Sequence, residues 1–338
     1  MKTIKTQEAL GTVLCHDITK IVPGEFKGPA FYKGHIVTEK DIPELLALGK
    51  DHLYVWELQD GFVHEDDAAS RLAKAVSGIG IDHTKPEEGK VNLIAKSDGL
   101  LVIDEERLLR LNLLGELAVA TRSQERPVKK GDIVAGVRVI PLVIEEGKSQ
   151  IAEQLGKEAE IISVHPFRPC KVGIVTTGNE VYYGRIVDRF GPVVKGKVEA
   201  FGCTVARQAL VQDSAEDIAR VVQELLAEGC QLILTTGGMS VDPDDVTPAG
   251  IRQAGAQIVS YGAPVLPGSV FMMAYINKVP ILGLPGCVMY NSTTVFDLVL
   301  PLILADREIT QERIARWGLG GLCLNCEVCR FPECSFGA

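Results

Sequence analysis

Residues 235–248, TTGGMSVDPDDVTP, place two hydroxyls and two glycines directly after the apolar run Leu232-Ile233-Leu234. Three acids, Asp242, Asp244 and Asp245, follow within a few residues. Glycines let a ligand approach the backbone, and amides at a helix start favour negative charge. Carboxylates repel an anion unless a cation stands between them. Mg²⁺, bound through one or two carboxylates beside a phosphate, meets that need. Plainer readings stand beside this one: Gly237-Gly238 is also what a tight turn requires, and Asp245 also suits the cap of a helix opening at Thr247-Pro248.

Two further loops of this type end strand-like runs, Thr176-Thr177-Gly178 and Pro285-Gly286. Asp213 ends another run, in LVQD, and is expected to act with Asp245 as metal ligand and catalytic group. Mg²⁺ held there would polarise a phosphoryl oxygen while loop amides take up developing charge.

A second cluster is CLNCEVCRFPECSFG, where Cys323, Cys326, Cys329 and Cys334 are spaced C-x2-C-x2-C-x4-C. Four thiolates suit tetrahedral Zn²⁺ or an iron–sulfur cluster. Three cysteines at x2 spacing are closer to a ferredoxin run than to the paired CxxC of a zinc ribbon, so iron–sulfur is the nearer fit and zinc stays open. Soft thiolates also suit molybdenum or another metal in transit. Disulfides run against a reducing cytoplasm. The other five of the nine cysteines are isolated in sequence and read as small buried apolar side chains. His16, His52, His83 and His165 show no ligand spacing.

These groups need elements to hold them. From about Lys171 the runs KVGIVTTG, TVARQALVQD and QLILTTGG alternate with helical stretches around KGKVEAFG and SAEDIARVVQELLAEG. The last carries Ser214 as N-cap, Asp217 three residues on, and an apolar stripe through Ile218, Val221, Val222 and Leu225. Strands alternating with helices predict an open, mostly parallel α/β sheet with helices on both faces. Ligands of such sheets bind beyond the carboxyl ends of the strands, where both Thr-Thr-Gly motifs fall. The preceding half predicts an α+β region: a strand in EALGTVLCHDI, a helix in EKDIPELLALG, a strand in HLYVWEL and a helix in EDDAASRLAKAV. It continues with two strand runs flanking Ser97-Asp98-Gly99. Expected boundaries are 1–165 for the α+β region, 166–308 for the α/β domain and 309–338 for the cysteine tail.

The chain's 338 residues suggest two or three domains, and an apolar share of 46% gives ample core. A net charge of −9 argues against general nucleic-acid binding. No apolar stretch reaches the roughly 18 residues of a membrane span, and the opening residues lack a signal-peptide core, so a cytoplasmic location is expected.

TTGNEV, LVQDSAEDI, TTGGMSVDPDDVTPAG, PVLPGSVFMMAYINKVPILGLPG and the apolar helix after them occur in an order that resembles the molybdopterin-binding domain of molybdenum-cofactor biosynthesis proteins, over about residues 170–305. The Thr-Gly-Gly loop with Ser-Val resembles the molybdopterin molybdotransferase branch, and DVTPAG also resembles the smaller adenylyltransferases. The resemblance implies that molybdopterin, or its adenylate, presents phosphate to the glycine loops with Mg²⁺ nearby. Thr236, Gly237, Gly238 and Ser240 fall on the family's phosphate loop, Asp245 on its acidic position, and Asp213 on the acid ending the preceding strand. Gly178 and Glu180 match its first loop, with Asn179 where an acid is usual. Asp188 matches its I-x-D segment. Pro285 and Gly286 match its last loop, with Cys287 where Asn is usual. EALGTVLCHDI resembles the molybdotransferase opening. Two functions are implied: metal insertion from molybdate, or a non-catalytic chaperone or sensor that docks a molybdoenzyme or another cofactor-biosynthesis protein. The family's members also self-associate.

Overall fold

The computed structural model describes residues 2–22, 24–55, 61–239 and 245–337. Ser240, Asp242 and Asp244 lie outside the described residues. The chain divides into two compact units, one of residues 1–96, 103–122 and 131–163, the other of 97–102, 123–130 and 164–338. These limits differ from boundaries at 165 and 308. Residues 97–102 and 123–130 pair antiparallel with each other, Pro127 opposite Leu100, and the Leu100 side chain is buried in the core of the second unit. The cysteine tail joins that core too, through Phe336.

In the first unit, strand Lys2–Lys5 pairs antiparallel with His52–Val55, and Ile18–Val22 pairs with Phe26–Phe31. The expected helix forms over Asp41–Ala47, and Gly49 follows it with φ 74°. EALGTVLCHDI does not make the expected strand. It contains the end of a 3-10 turn, Thr6–Glu8, and then a single bridge, Val13 to Ile36. Ala9, Leu14, Cys15 and Ile18 are buried while Leu10 and Val13 are exposed, so the buried positions do not alternate and no one sheet face could take them. Elsewhere, helices Glu65–Val76 and Glu146–Glu158 pack together so closely that a Cβ at Gly156 would lie 2.0 Å from the Ala75 carbonyl oxygen. The runs flanking Ser97-Asp98-Gly99 are strands, Lys90–Ala95 and Gly99–Ile103, yet they enter different sheets.

The second unit is the α/β half. Its elements are β1 (Lys171–Thr177), α1 (Phe190–Glu199), β2 (Thr204–Val211), α2 (Ala215–Ala227), β3 (Leu232–Thr236), α3 (Thr247–Gln253), β4 (Gln257–Tyr261), β5 (Met272–Ile276), β6 (Val279–Leu284), α4 (Val295–Leu304) and α5 (Gln311–Arg316). The sheet order is β2-β1-β3-β6-β5-β4. The first four strands are parallel, and β5 and β4 close the sheet antiparallel. Strand residues alternate between two cores, as the pleat requires. Val172, Ile174, Leu232, Leu234 and Leu282 meet α1 and α4 on one face. Val175, Ile233 and Ile281 meet Ile218, Val222 and Leu225 of α2, with Ile251 of α3, on the other. Each such buried aliphatic contributes about 1.5–3 kcal/mol. The predicted cap of α2 forms: Ser214 Oγ accepts from the Asp217 N–H.

Candidate functional site

Parallel pairing aligns the carboxyl ends of four strands. Thr176 of β1 lies opposite Thr236 of β3, Thr236 opposite Leu284 of β6, and Thr177 opposite Val211 of β2. The loops at Gly178, Gly237 and Pro285, and Asp213 after β2, therefore share one edge. The chain leaves β1 to one side for β2 and returns to the other for β3, so strand order reverses between β1 and β3. A reversal of this kind is where doubly wound sheets take their ligands.

Hydroxyls tie the edge together. Thr236 donates to the Thr176 hydroxyl at 3.3 Å, and Thr177 donates to the Thr236 carbonyl at 3.3 Å. The Thr177 hydroxyl lies 3.1 Å from that of Thr247, which donates to the Gly237 carbonyl at 3.0 Å. All four threonines are buried. The Thr236 hydroxyl, expected to face phosphate, thus serves to fix one loop against the next. Gly237 shows why glycine is needed: its φ is 88°, and a Cβ there would sit 2.4 Å from the Thr177 carbonyl oxygen. Gly238 has φ 54° and approaches the Thr247 hydroxyl in the same way. On β4, the Tyr261 hydroxyl donates to the Met239 carbonyl at 2.9 Å, anchoring the far side of the loop.

The acids divide. Asp213 Oδ2 accepts from the Asn179 N–H at 2.8 Å, and its own N–H donates to Asn179 Oδ1 at 3.3 Å. Asp245 is half-buried just ahead of α3. Val246 holds the N-cap position of that helix with no side-chain cap, and Pro248 stands in its first turn. Asp188 accepts from the Phe190 and Gly191 N–H groups at 2.8 and 3.1 Å and from Gln208 Nε2 at 2.6 Å, so it caps α1 and anchors it to β2. The Gln208 amide passes the link on to Thr176 at 2.9 Å. Glu180 is exposed on a single helical turn, Asn179–Tyr182, and Gly178 before it is buried with φ 132°. Lys197, a basic residue near the site, is bonded to Asp297 Oδ1 at 2.5 Å and to the Ser292 carbonyl. It therefore joins α1 to the capping box of α4.

On the third loop Pro285 is buried and Gly286 exposed, opening a 3-10 turn over Gly286–Met289. The Cys287 carbonyl accepts from Asn291 Nδ2 at 3.0 Å, and burial pushes the Cys287 thiol above its ordinary pKa.

Tyr290, Asn291, Ser292 and Thr293 continue from that turn and line a cavity of about 250 Å³. All four tail cysteines, Cys323, Cys326, Cys329 and Cys334, line it as well. The Cys323 N–H donates to the Leu266 carbonyl at 2.8 Å, which holds the start of the tail. Thr293 Oγ1 lies 3.0 Å from Cys329 Sγ. Among the described residues no three His, Cys, Asp or Glu side chains gather closely enough to hold one metal ion. Sequence reasoning missed Arg126, which is buried with its guanidinium 5.4 Å from the Phe331 ring centre. Nothing in its local sequence signals this, because the contact spans some two hundred residues. Cys170 and Cys203, isolated along the chain, bring their sulfurs to 3.9 Å at the starts of β1 and β2.

The edge is that of an open, mostly parallel α/β domain with a reversal of strand order between β1 and β3. Residues 173–305 match the family described as a probable molybdopterin binding domain. Residues 3–57 match a domain of unknown function, DUF8806. A molybdopterin molybdenumtransferase of Synechococcus elongatus is 26% identical over 219 residues, covering 61% of this chain and 52% of the relative. Another, of Staphylococcus epidermidis, is 26% identical over 302 residues, covering 84% of this chain and 66% of the relative. The match thus spans about half of the first relative's length and just under two thirds of the second's. Among solved structures, the molybdopterin biosynthesis enzyme MoaB of Thermus thermophilus is 24% identical, covering 40% of this chain and 91% of that one, with a TM-score of 0.33.

Proposed function

We propose that the chain binds molybdopterin, or its adenylate, across the carboxyl ends of β1, β3 and β6 and takes part in inserting the metal, with molybdate as the second substrate. One observation carries this reading: the loops at Gly178, Gly237 and Pro285 are brought to one edge at the reversal of strand order. Glycine at these points lets a phosphate reach the backbone, and the threonine network holds the loops ready without ligand.

The donor set suits Mg²⁺, with two carboxylates, Asp213 and Asp245, following β2 and β3 and phosphate oxygens to complete the shell. When bound, Mg²⁺ would polarise a phosphoryl oxygen. Asp213 is oriented for this by the Asn179 N–H. The same reading takes the protein to be cytoplasmic and self-associating. Among the described residues no helix is long and apolar enough to cross a membrane.

A second reading, a chaperone or sensor that carries the pterin and docks a molybdoenzyme or another cofactor-biosynthesis protein, draws on Asn179 and Cys287. Each stands where the molybdotransferase pattern has a different polar group. Incubation with adenylated molybdopterin, Mg²⁺ and molybdate separates the two. Metal insertion yields a molybdenum-loaded pterin, and a carrier returns its ligand unchanged. Failure to bind either pterin form would end both.

A further inference from the structure

We propose that the cysteine tail is the site of an iron–sulfur cluster, ligated by Cys323, Cys326, Cys329 and Cys334, with buried Arg126 as its counter-cation. This stands apart from the pterin reading, because it rests on a different cavity.

Three observations carry it. First, the four cysteines line one cavity of about 250 Å³, though they are spread over twelve residues of chain with little regular structure. Cys323 and Cys334 pack against the core, while Cys326 and Cys329 stay exposed, so one side of the cavity is fixed and the other open for assembly. Second, Cys323, Cys326 and Cys329 follow one another at x2 spacing, which is closer to a cluster-binding ferredoxin run than to the paired CxxC of a zinc site. Zinc draws its four thiolates to about 2.3 Å, crowding them around a point. A polynuclear cluster instead sets its cysteines around a body of metal and sulfide, which is the arrangement a shared cavity provides.

Third, Arg126 is 3% exposed, and its Nε and Nη2 atoms have no hydrogen-bond partner. A buried guanidinium without an anion is costly, by several kcal/mol. The carboxylate beside it in sequence, Glu125, is bonded to Arg313. Arg126 packs on the ring of Phe331, which lies between Cys329 and Cys334 in the chain. Four cysteine thiolates around an iron–sulfide core leave a net negative charge, which supplies the missing partner. Each thiol gives up its proton on ligation, after which the Thr293 hydroxyl is placed to donate to the Cys329 sulfur, one of the means by which proteins tune such clusters. The cavity wall at Tyr290–Thr293 continues from the turn at Gly286, so the cluster would adjoin the third loop of the pterin edge.

The full-length protein should be purified anaerobically, reconstituted with ferrous iron and sulfide, and assayed for iron, acid-labile sulfide and zinc. The expected result is iron and sulfide in equal amounts, broad visible absorbance, and their loss in Cys326→Ser, an exposed position whose change leaves the fold intact. Stoichiometric zinc without sulfide, or no retained metal, would overturn the proposal. Arg126→Gln, with its fold checked by circular dichroism, should lower the cluster's reduction potential, and Arg126→Lys should restore it. An unchanged potential in folded Arg126→Gln would overturn the counter-cation role. Should that variant fail to fold, the iron and sulfide assay on Cys326→Ser still decides the site.

Discussion

Asn179 and Asp213 grip each other across the carboxyl edge of β1 and β2, each backbone N–H donating to the other's side chain. The pair keeps one of the two expected metal ligands in place, and it does so with an amide where the family pattern has an acid. Asn179→Asp preserves both hydrogen bonds in form and adds a negative charge beside Asp213. Divalent-cation affinity should rise roughly tenfold, about 1.4 kcal/mol, and fall in Asp213→Asn. Mn²⁺ titration followed by electron paramagnetic resonance reads both changes. Equal affinity in all three proteins would remove Asp213 from the metal site.

Gly237 is the tightest point of the phosphate-type loop. Alanine there meets a backbone carbonyl at 2.4 Å in a left-handed conformation, so neither a rotamer change nor a small shift relieves it. Gly237→Ala should cost at least ~2 kcal/mol in urea unfolding and weaken pterin binding as well. Gly286→Ala, where an added Cβ meets nothing, should leave stability within about 0.5 kcal/mol.

In the first unit, burial with Asp66 nearby pushes the Glu65 carboxyl up from 4.5 to about 7. The folded state holds that proton more tightly than the unfolded chain. The associated stability is complete below about pH 4.5 and is lost as pH rises through 7, on the order of 3 kcal/mol in all. Glu65→Gln should flatten this dependence in denaturant melts between about pH 5 and 8, a range set by those two values. An unchanged slope would show that Glu65 ionises freely.

Cys170 and Cys203, 33 residues apart, share a hydrogen bond that pulls the Cys203 thiol down and pushes the Cys170 thiol up. A thiolate next to a thiol is the reactant pair for disulfide formation. Treatment with diamide, which takes up the two hydrogens, should link them before any of the other buried cysteines. Mass spectrometry of proteolytic fragments would identify the bridge. Preferential linkage of Cys15 or Cys230 would contradict the pairing.

Much of the α/β half was legible in one dimension, because its signals are local. The helix over Ala215–Ala227 shows its cap, its stripe and its final glycine within about one helix length, and the Thr-Thr-Gly ends of β1 and β3 follow directly from their apolar runs. The EALGTVLCHDI segment misled because buried apolar residues at irregular spacing imitate a short strand when no partner is known. The roles of Thr236 and Asp188 were hidden for another reason: a hydroxyl or carboxylate beside a glycine loop looks the same whether it meets a ligand or a neighbouring strand.

By itself the sequence determined that the second half would be a mostly parallel α/β sheet with glycine loops and acids at strand ends. Periodicity, caps and close spacing are properties of neighbouring residues, so they survive without coordinates. Only the tertiary structure decided that the chain reverses between β1 and β3, which threonines face inward, that Asn179 holds Asp213, and that Arg126 packs against Phe331 of the cysteine tail. Those are pairings between residues from 34 to some two hundred positions apart, and they are set by strand register and by how a buried charge must be matched.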